Sequence, residues 1–277
     1  MRANVSENET EFYRNNGFLA IEDFLSDFEL ADCIDAVEEA LRMRGRFLLP
    51  DGRWEENEQS KQHVSPILTQ RINLWRTSAR IKKLILNHNI GRIAAQLSGM
   101  LAVRLWADQA LIKQPFSPPT GFHLDTPFWS FACDQALSIW IALDQTTLKN
   151  GAMCYIPGVH KHRRTAKIDL GGDSGALFKV YPEWALIKPQ FCPIRAGGCI
   201  FHNGLLAHGA AANMTPQPRR AMTAIFYPDG ATFNGTQNIL SDEQVGRLKI
   251  GDLLNDDESN PIIFSSLPTP SAGEVVE

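Results

Sequence analysis

Pro118-Pro119-Thr120-Gly121-Phe122-His123-Leu124-Asp125 puts an imidazole and a carboxylate two residues apart, directly behind a Pro-Pro turn. In an extended segment alternate side chains share a face, so His123 and Asp125 would aim at one point from a single strand. Downstream, His208 stands in Ala207-His208-Gly209. Arg219 follows it across the Pro-rich turn Thr215-Pro216-Gln217-Pro218. Two histidines and one carboxylate are the facial set that holds Fe(II) and leaves the opposite coordination face open. An HxD pair alone is a weak signal in a chain of 277 residues. Its place at a turn-bounded strand, and an apolar histidine-bearing segment (Gly198 to Gly209) further on, give it weight.

From this stretch outward, the hydrophobic period is close to 2 along residues 102–113, 121–126, 136–144, 152–156, 191–194, 198–203, 206–211 and 219–227, all expected strands. Lys149-Asn150-Gly151, Pro157-Gly158 and Ala196-Gly197-Gly198 punctuate them as turns. Toward the N-terminus the period lengthens. Residues 10–25 read as a helix stopped at Gly17 and running into a strand, Phe18-Leu19-Ala20-Ile21. A second helix starts at Ser26 with Glu29 placed for a capping box, buries Leu30, Ile34, Val37 and Leu41, and ends at Gly45. Residues 78–98 read as two shorter helices broken near Asn87-His88-Asn89 and closed by Gly99. Residues 50–66 and 161–190 are expected loops, the second lying over the barrel mouth, and the tail from about 255 is expected to be weakly ordered. The fold class that follows is mainly β with a helical N-terminal part: a double-stranded β-helix (jelly roll, cupin-like) backed by α-helices. One domain is expected over 1–277, with helical support at about 10–100, the jelly-roll core at about 101–230 and a C-terminal extension at about 231–277.

Composition narrows the class. With 44% hydrophobic and 21% charged residues the chain is ordinary globular protein. A formal net charge of -4 gives no basic surface for nucleic acid or an anionic membrane. The five cysteines (Cys33, Cys133, Cys154, Cys192, Cys199) lack CxxC spacing, which argues against structural zinc or a disulfide framework and fits a reducing cytoplasm. The polar, acidic start is unlike a signal peptide, and no apolar run approaches the ~20 residues of a membrane helix. A small-molecule substrate is the expected partner, with cytoplasmic localisation and no nucleic acid or membrane.

The chain resembles the phytanoyl-CoA dioxygenase family of Fe(II)/2-oxoglutarate oxygenases from about Phe18 to Tyr227. The resemblance is carried by Lys113-Gln114-Pro115, Gly121-Phe122-His123-Leu124-Asp125, Trp140-Ile141-Ala142-Leu143-Asp144, Asn150-Gly151-Ala152 and Ile156-Pro157-Gly158-Val159-His160. His208-Gly209 through Arg219-Arg220-Ala221 completes it. It implies iron held by His123, Asp125 and His208, and 2-oxoglutarate chelating the metal through its keto-acid end. The distal carboxylate would pair with Arg219, and Gln109 and Trp140 would line the co-substrate pocket. Of three remaining coordination sites, two would take 2-oxoglutarate and one O2. The expected reaction is a C–H oxidation coupled to conversion of 2-oxoglutarate and O2 to succinate and carbon dioxide. Related halogenases carry a small residue where Asp125 stands, so hydroxylation or another non-halogenating oxidation is favoured.

Several positions have a second reading. His202 competes with His208, and is otherwise a core histidine or one that supports a ligand. Arg220 competes with Arg219, although alternation groups Arg219, Ala221 and Thr223 on the more polar face. Period 2 puts Gln109, Leu111 and Lys113 on one face, with Lys113 either looking inward or snorkelling at the rim. Trp140 either lines the cavity or packs the core, and Phe128, Trp129 and Phe131 are either core or a substrate wall. His160-Lys161-His162-Arg163-Arg164 reads as a solvated loop or an anion contact, and His63 and His88 as surface residues. Two other functions remain open: a cupin-like metalloenzyme that does not use 2-oxoglutarate, and a catalytically silent binding protein of the same fold.

Overall fold

A computed structural model describes residues 1–42, 46–48, 54–56, 63–64, 68–168 and 173–267. The helices are α1 (Glu7–Asn16), α2 (Asp27–Arg42), α3 (Ala79–Ile85), α4 (His88–Ser98), α5 (Ala176–Val180) and α6 (Asp242–Arg247). The first five strands are β1 (Phe18–Ile21), β2 (Arg46–Leu48), β3 (Trp54–Glu56), β4 (His63–Val64) and β5 (Thr69–Ile72). Then come β6 (Ala102–Lys113), β7 (Thr120–His123), β8 (Leu137–Ala142), β9 (Met153–Tyr155) and β10 (Gln190–Cys192). The last are β11 (Cys199–Asn203), β12 (His208–Ala210), β13 (Arg219–Pro228) and β14 (Ile262–Ser265).

Two antiparallel sheets face one another without closing into a continuous barrel. The larger has the order β1-β11-β8-β13-β6-β5-β4, with β14 also paired to β6, and the smaller is β10-β9-β12-β7. Side-chain alternation sorts the larger sheet. On β8 and β13, Ile139, Ile141, Met222, Ala224 and Phe226 join the helix-side core with Val37, Ile81, Ile85, Ile93 and Leu97. Trp140, Ala142 and Ala221 turn the other way and meet Tyr155, Cys192 and Ala210 of the smaller sheet. Helices α1–α4 therefore cover one face of the larger sheet, and the other face lines the interior where the site sits. A third apolar cluster (Trp106, Trp129, Phe131, Tyr227, Phe233, Leu240, Leu254) seals one end under the C-terminal segment.

Local chemistry explains the element ends. Gly17 caps α1 at φ 84°, a left-handed conformation that glycine adopts without strain, and turns the chain into β1. At α2, Ser26 N–H donates to Glu29 Oε2 while Glu29 N–H donates to Ser26 Oγ, the reciprocal cap its sequence predicts. The structure gives this helix to Arg42, and Gly45 lies outside the described residues. Asn87 caps α4 through its Oδ1, so the break is a new helix start.

The structure corrects five expectations. The first helix is Glu7–Asn16 rather than part of 10–25, because Ser6 and Glu9 form a capping box ahead of the expected start. The 50–66 region holds β3, which pairs β2, and β4, which pairs β5; its remaining residues lie outside the described set. The 161–190 loop carries α5 and a 3₁₀ turn at Pro182–Leu186. The tail is tied down as far as β14: Asn260 Nδ2 donates to the Leu105 and Trp106 carbonyls where β6 bulges, and residues 268–277 lie outside the described set. Finally, the strand expected at 121–126 stops at His123. Asp125 is helical at φ −81°, ψ −44°, because Gly204 O takes the N–H groups of both Asp125 and Thr126 and Pro127 opens a 3₁₀ turn.

Candidate active site

His123 ends β7 and His208 opens β12, and the register sets them directly opposite each other. Asp125 joins them from the turn after β7, so convergence comes from cross-strand pairing and a tight turn and not from simple alternation. In both rings Nδ1 lies 2.9 Å from a backbone carbonyl two residues back, Gly121 O for His123 and Leu206 O for His208. A carbonyl can only accept, so Nδ1 carries the hydrogen and each Nε2 keeps a free lone pair. Those Nε2 atoms lie 3.6 and 3.7 Å from Asp125 Oδ1. The three donor atoms all fall within 4.8 Å of one another.

Asp125 Oδ2 is held from the larger sheet. Ser138 Oγ donates to it at 3.3 Å, and His202 Nε2 is 3.4 Å away, with Tyr155 Oη 3.4 Å behind on His202 Nδ1. His202 thus touches the carboxylate oxygen that the two opposed histidines do not, with its ring centroid 4.5 Å from that of His208. Burial would raise the Asp125 carboxyl, but the neighbouring imidazoles outweigh it and hold the group well below its ordinary range. Burial, reinforced by His123, pushes His208 down to about 3. One ionised carboxylate and a neutral imidazole are the states in which these groups ligate a metal. The donor set fits Fe(II), with second-layer hydrogen bonds already in place.

The other half of the site lies on β6, β8 and β13. Thr223 pairs with Gln109 on one side and Trp140 on the other, while Arg219 pairs with Lys113. Arg219 is 2% exposed, and its guanidinium carbon lies 5.0 Å from the centroid of the Trp140 ring. Nη2 donates to Gly151 O at 3.2 Å, while Nε and Nη1 have no partner among the described residues. Burial lowers this guanidinium to about 10. A buried cation with two unused donors fits the carboxylate of a bound acid. Arg220 faces the other way and forks onto Asp144, with a further bond to Glu38. Gln109 is half-buried and accepts from Gln70 Nε2. Trp140, buried, both packs the interior cluster and floors Arg219.

Lys113 is neither at the rim nor solvated: it is fully buried, with Nζ donating to Pro118 O at 2.8 Å. Phe128 is half-buried in the 3₁₀ turn that follows Asp125, with Lys167 Nζ 4.9 Å from its ring centroid. Trp129 is buried in the end cluster, packed against Phe131, and a side chain at Gly204 would strike its ring. The basic run is engaged locally: His160 with Arg14 O, Lys161 with Asn15, Arg163 with Asp134, and Arg164 over Tyr181. His88 is exposed against Phe264, and the His63 side chain lies outside the described set. A cavity of about 450 Å³ opens between Asn73, Arg76 and the C-terminal segment, but none of the candidate site residues lines it. Sequence reasoning missed Ser138 and Tyr155. Ser138 was within reach, since it shares the Trp140 face by period 2; Tyr155 had no comparable signal.

The model of the phytanoyl-CoA dioxygenase family matches residues 13–221. The chain belongs to this family. A methylphosphonate hydroxylase of Gimesia maris is 25% identical over 223 residues, covering 80% of each protein. Among solved structures, the non-heme alpha ketoglutarate dependent carbocyclase SnoK from nogalamycin biosynthesis is 27% identical with a TM-score of 0.74, covering 93% of this chain and 96% of that one. The epimerase SnoN, solved with Fe3+, alpha ketoglutarate and nogalamycin RO, shares the fold at a TM-score of 0.72 and 22% identity, with 93% and 98% coverage. As a phytanoyl-CoA dioxygenase family member, the chain is an iron- and 2-oxoglutarate-dependent oxygenase with dioxygen as co-substrate. Among the described residues no helix is long and apolar enough to cross a membrane.

Proposed function

We propose that this protein oxidises a C–H bond of a small organic metabolite, most simply by hydroxylation, with His123, Asp125 and His208 as the iron ligands. The observation that carries the reading is the pairing of this donor set with a buried, under-bonded Arg219 on the Trp140 ring across one interior. When bound, iron, 2-oxoglutarate and dioxygen supply the oxidising chemistry and yield succinate and carbon dioxide. The chain's own residues position and insulate. Nδ1–H bonds fix both ring orientations, Ser138 and His202 fix the carboxylate, and Arg219, Trp140 and Gln109 receive 2-oxoglutarate. Asp125 occupies the position whose loss would admit a halide, which favours hydroxylation over halogenation.

Phe128, on the turn next to Asp125, offers an aromatic face, and Lys167, with Nζ 4.9 Å from its ring centroid, a cation. They support a substrate that bears an anionic group, in line with a relative named for methylphosphonate. Anaerobic addition of Fe(II) and 2-oxoglutarate is expected to give the weak visible charge-transfer band of the chelate. Aerobic succinate release should then rise with an accepted substrate, and a screen begins with small carboxylates, phosphonates and phosphate esters. Absence of both the band and succinate would leave a metalloenzyme that does not use 2-oxoglutarate, or a silent binding protein.

A further inference from the structure

Lys113 is an ammonium buried beside a second buried cation. It stands directly opposite Arg219 in the β6/β13 register, so both side chains share the interior face. Both also touch one residue. Arg219 Nη2 donates to Gly151 O, and a Cβ built at Gly151 (φ 103°) would lie 2.7 Å from Lys113 Cδ. Like charges placed cross-strand repel, and burial removes the water that would screen them. Among the described residues neither forms an ion pair with a carboxylate: Asp144 is forked by Arg220. Lys113 Nζ has one good acceptor, Pro118 O at 2.8 Å, and one long one, Thr120 Oγ1 at 3.4 Å, which leaves an ammonium hydrogen unassigned.

Building on the oxygenase reading above, we propose that Lys113 is the second cation of the co-substrate site. Its ammonium and the Arg219 guanidinium together receive the distal carboxylate of 2-oxoglutarate. The pocket then selects a diacid by charge as well as by length, and an anion resolves the repulsion between two cations that the sheet forces together. A consequence is proton linkage. Burial, followed by the charge of Arg219, lowers the Lys113 ammonium to about 8, so above that pH the free site is partly deprotonated. A carboxylate docked against it restores the charged form, and binding takes up a proton. Few other groups could supply this signal. β13 presents Arg219; the 117–120 turn, Asn150 and Asn213 are neutral; Lys149 is exposed on its turn; and Arg71 of β5 pairs with Ala110 on the opposite face.

Calorimetric titration of 2-oxoglutarate into Co(II)-loaded protein, in two buffers of different ionisation heat, separates affinity from proton uptake. Wild type is expected to take up little proton at about pH 6.5 and close to one at about pH 9. Lys113→Met, its fold checked by circular dichroism, should bind 2-oxoglutarate roughly tenfold or more weakly at the lower pH and show no uptake at the higher. Wild type that binds without uptake at the higher pH, or a Lys113→Met variant as tight as wild type, overturns this inference alone. Wild type that binds no 2-oxoglutarate at either pH overturns the oxygenase reading and this inference with it.

Discussion

Ser138 Oγ and His202 Nε2 grip Asp125 Oδ2, while Oδ1 faces the Nε2 atoms of His123 and His208. A carboxylate released from that grip can rotate and lose its alignment with the two Nε2 lone pairs. Ser138→Ala is therefore expected to weaken Fe(II) or Co(II) binding by about 10–100-fold, read by metal titration followed in the visible spectrum. Unchanged affinity would show that Oδ2 needs no support. Arg219→Ala acts at the other end. It removes the cation that Trp140 floors, and should raise the 2-oxoglutarate requirement by about 2–5 kcal/mol while leaving metal affinity near wild type. Succinate formation at graded 2-oxoglutarate concentrations reads this, and an unchanged requirement would move the carboxylate site elsewhere. The two substitutions separate because Ser138 supports a proposed metal ligand and Arg219 lies in the proposed co-substrate pocket.

Strands β8 and β13 were legible from sequence because each has one face on helices and one on the interior, so the period-2 pattern is sharp. Strands β5 and β14 were not: they are short, and what holds them is β6, far away in the chain. The turn at Asp125 was misread as strand for a similar reason, since its N–H partner is Gly204 O, nearly eighty residues on. Asp108 in β6 shows how a long-range bond hides in an apolar strand. Its carboxylate is fully buried and accepts the N–H groups of Leu74 and Trp75, both at 3.1 Å, which pins the segment after β5. Burial nonetheless raises its pKa to about 7, against an unfolded value of about 3.9. Between those values the folded protein keeps a proton that the unfolded chain has lost. This contribution is fully present below about pH 4 and declines as pH rises through about 7, by a few kcal/mol at most. Asp108→Asn cannot ionise and should flatten that part of the profile. Urea unfolding of both proteins between about pH 4 and 8 measures the difference, and parallel profiles would show that Asp108 ionises freely in the fold.

At the scale of the molecule, the site joins two sheets. His123 and His208 belong to the smaller sheet and Asp125 to its adjoining turn, whereas Ser138, His202, Trp140 and Arg219 belong to the larger. Strand order, and hence which residues face each other across the interior, was not legible from local pattern, because it depends on pairings between segments as distant in the chain as β1 and β11, where Phe18 pairs with His202. The motif order supplied that information only through family resemblance. One consequence of the proposed site is that metal and co-substrate should stabilise the whole fold jointly: the metal would fasten the smaller sheet, and 2-oxoglutarate would span from it to Arg219. Any ligand that binds only the folded state adds about 2.7 kcal/mol at a hundredfold excess over Kd. For a chain of this size that corresponds to a rise of about 5–10 °C in Tm. Thermal melts under argon should therefore rise with Fe(II), rise again when 2-oxoglutarate is added, and fall back with a chelator. 2-Oxoglutarate without metal should move Tm little, because only its distal end then has a partner. Asp125→Ala should lose both increments, while Arg219→Ala should keep the first and lose most of the second. Equal increments from 2-oxoglutarate with and without metal would mean that the co-substrate does not bridge the two halves.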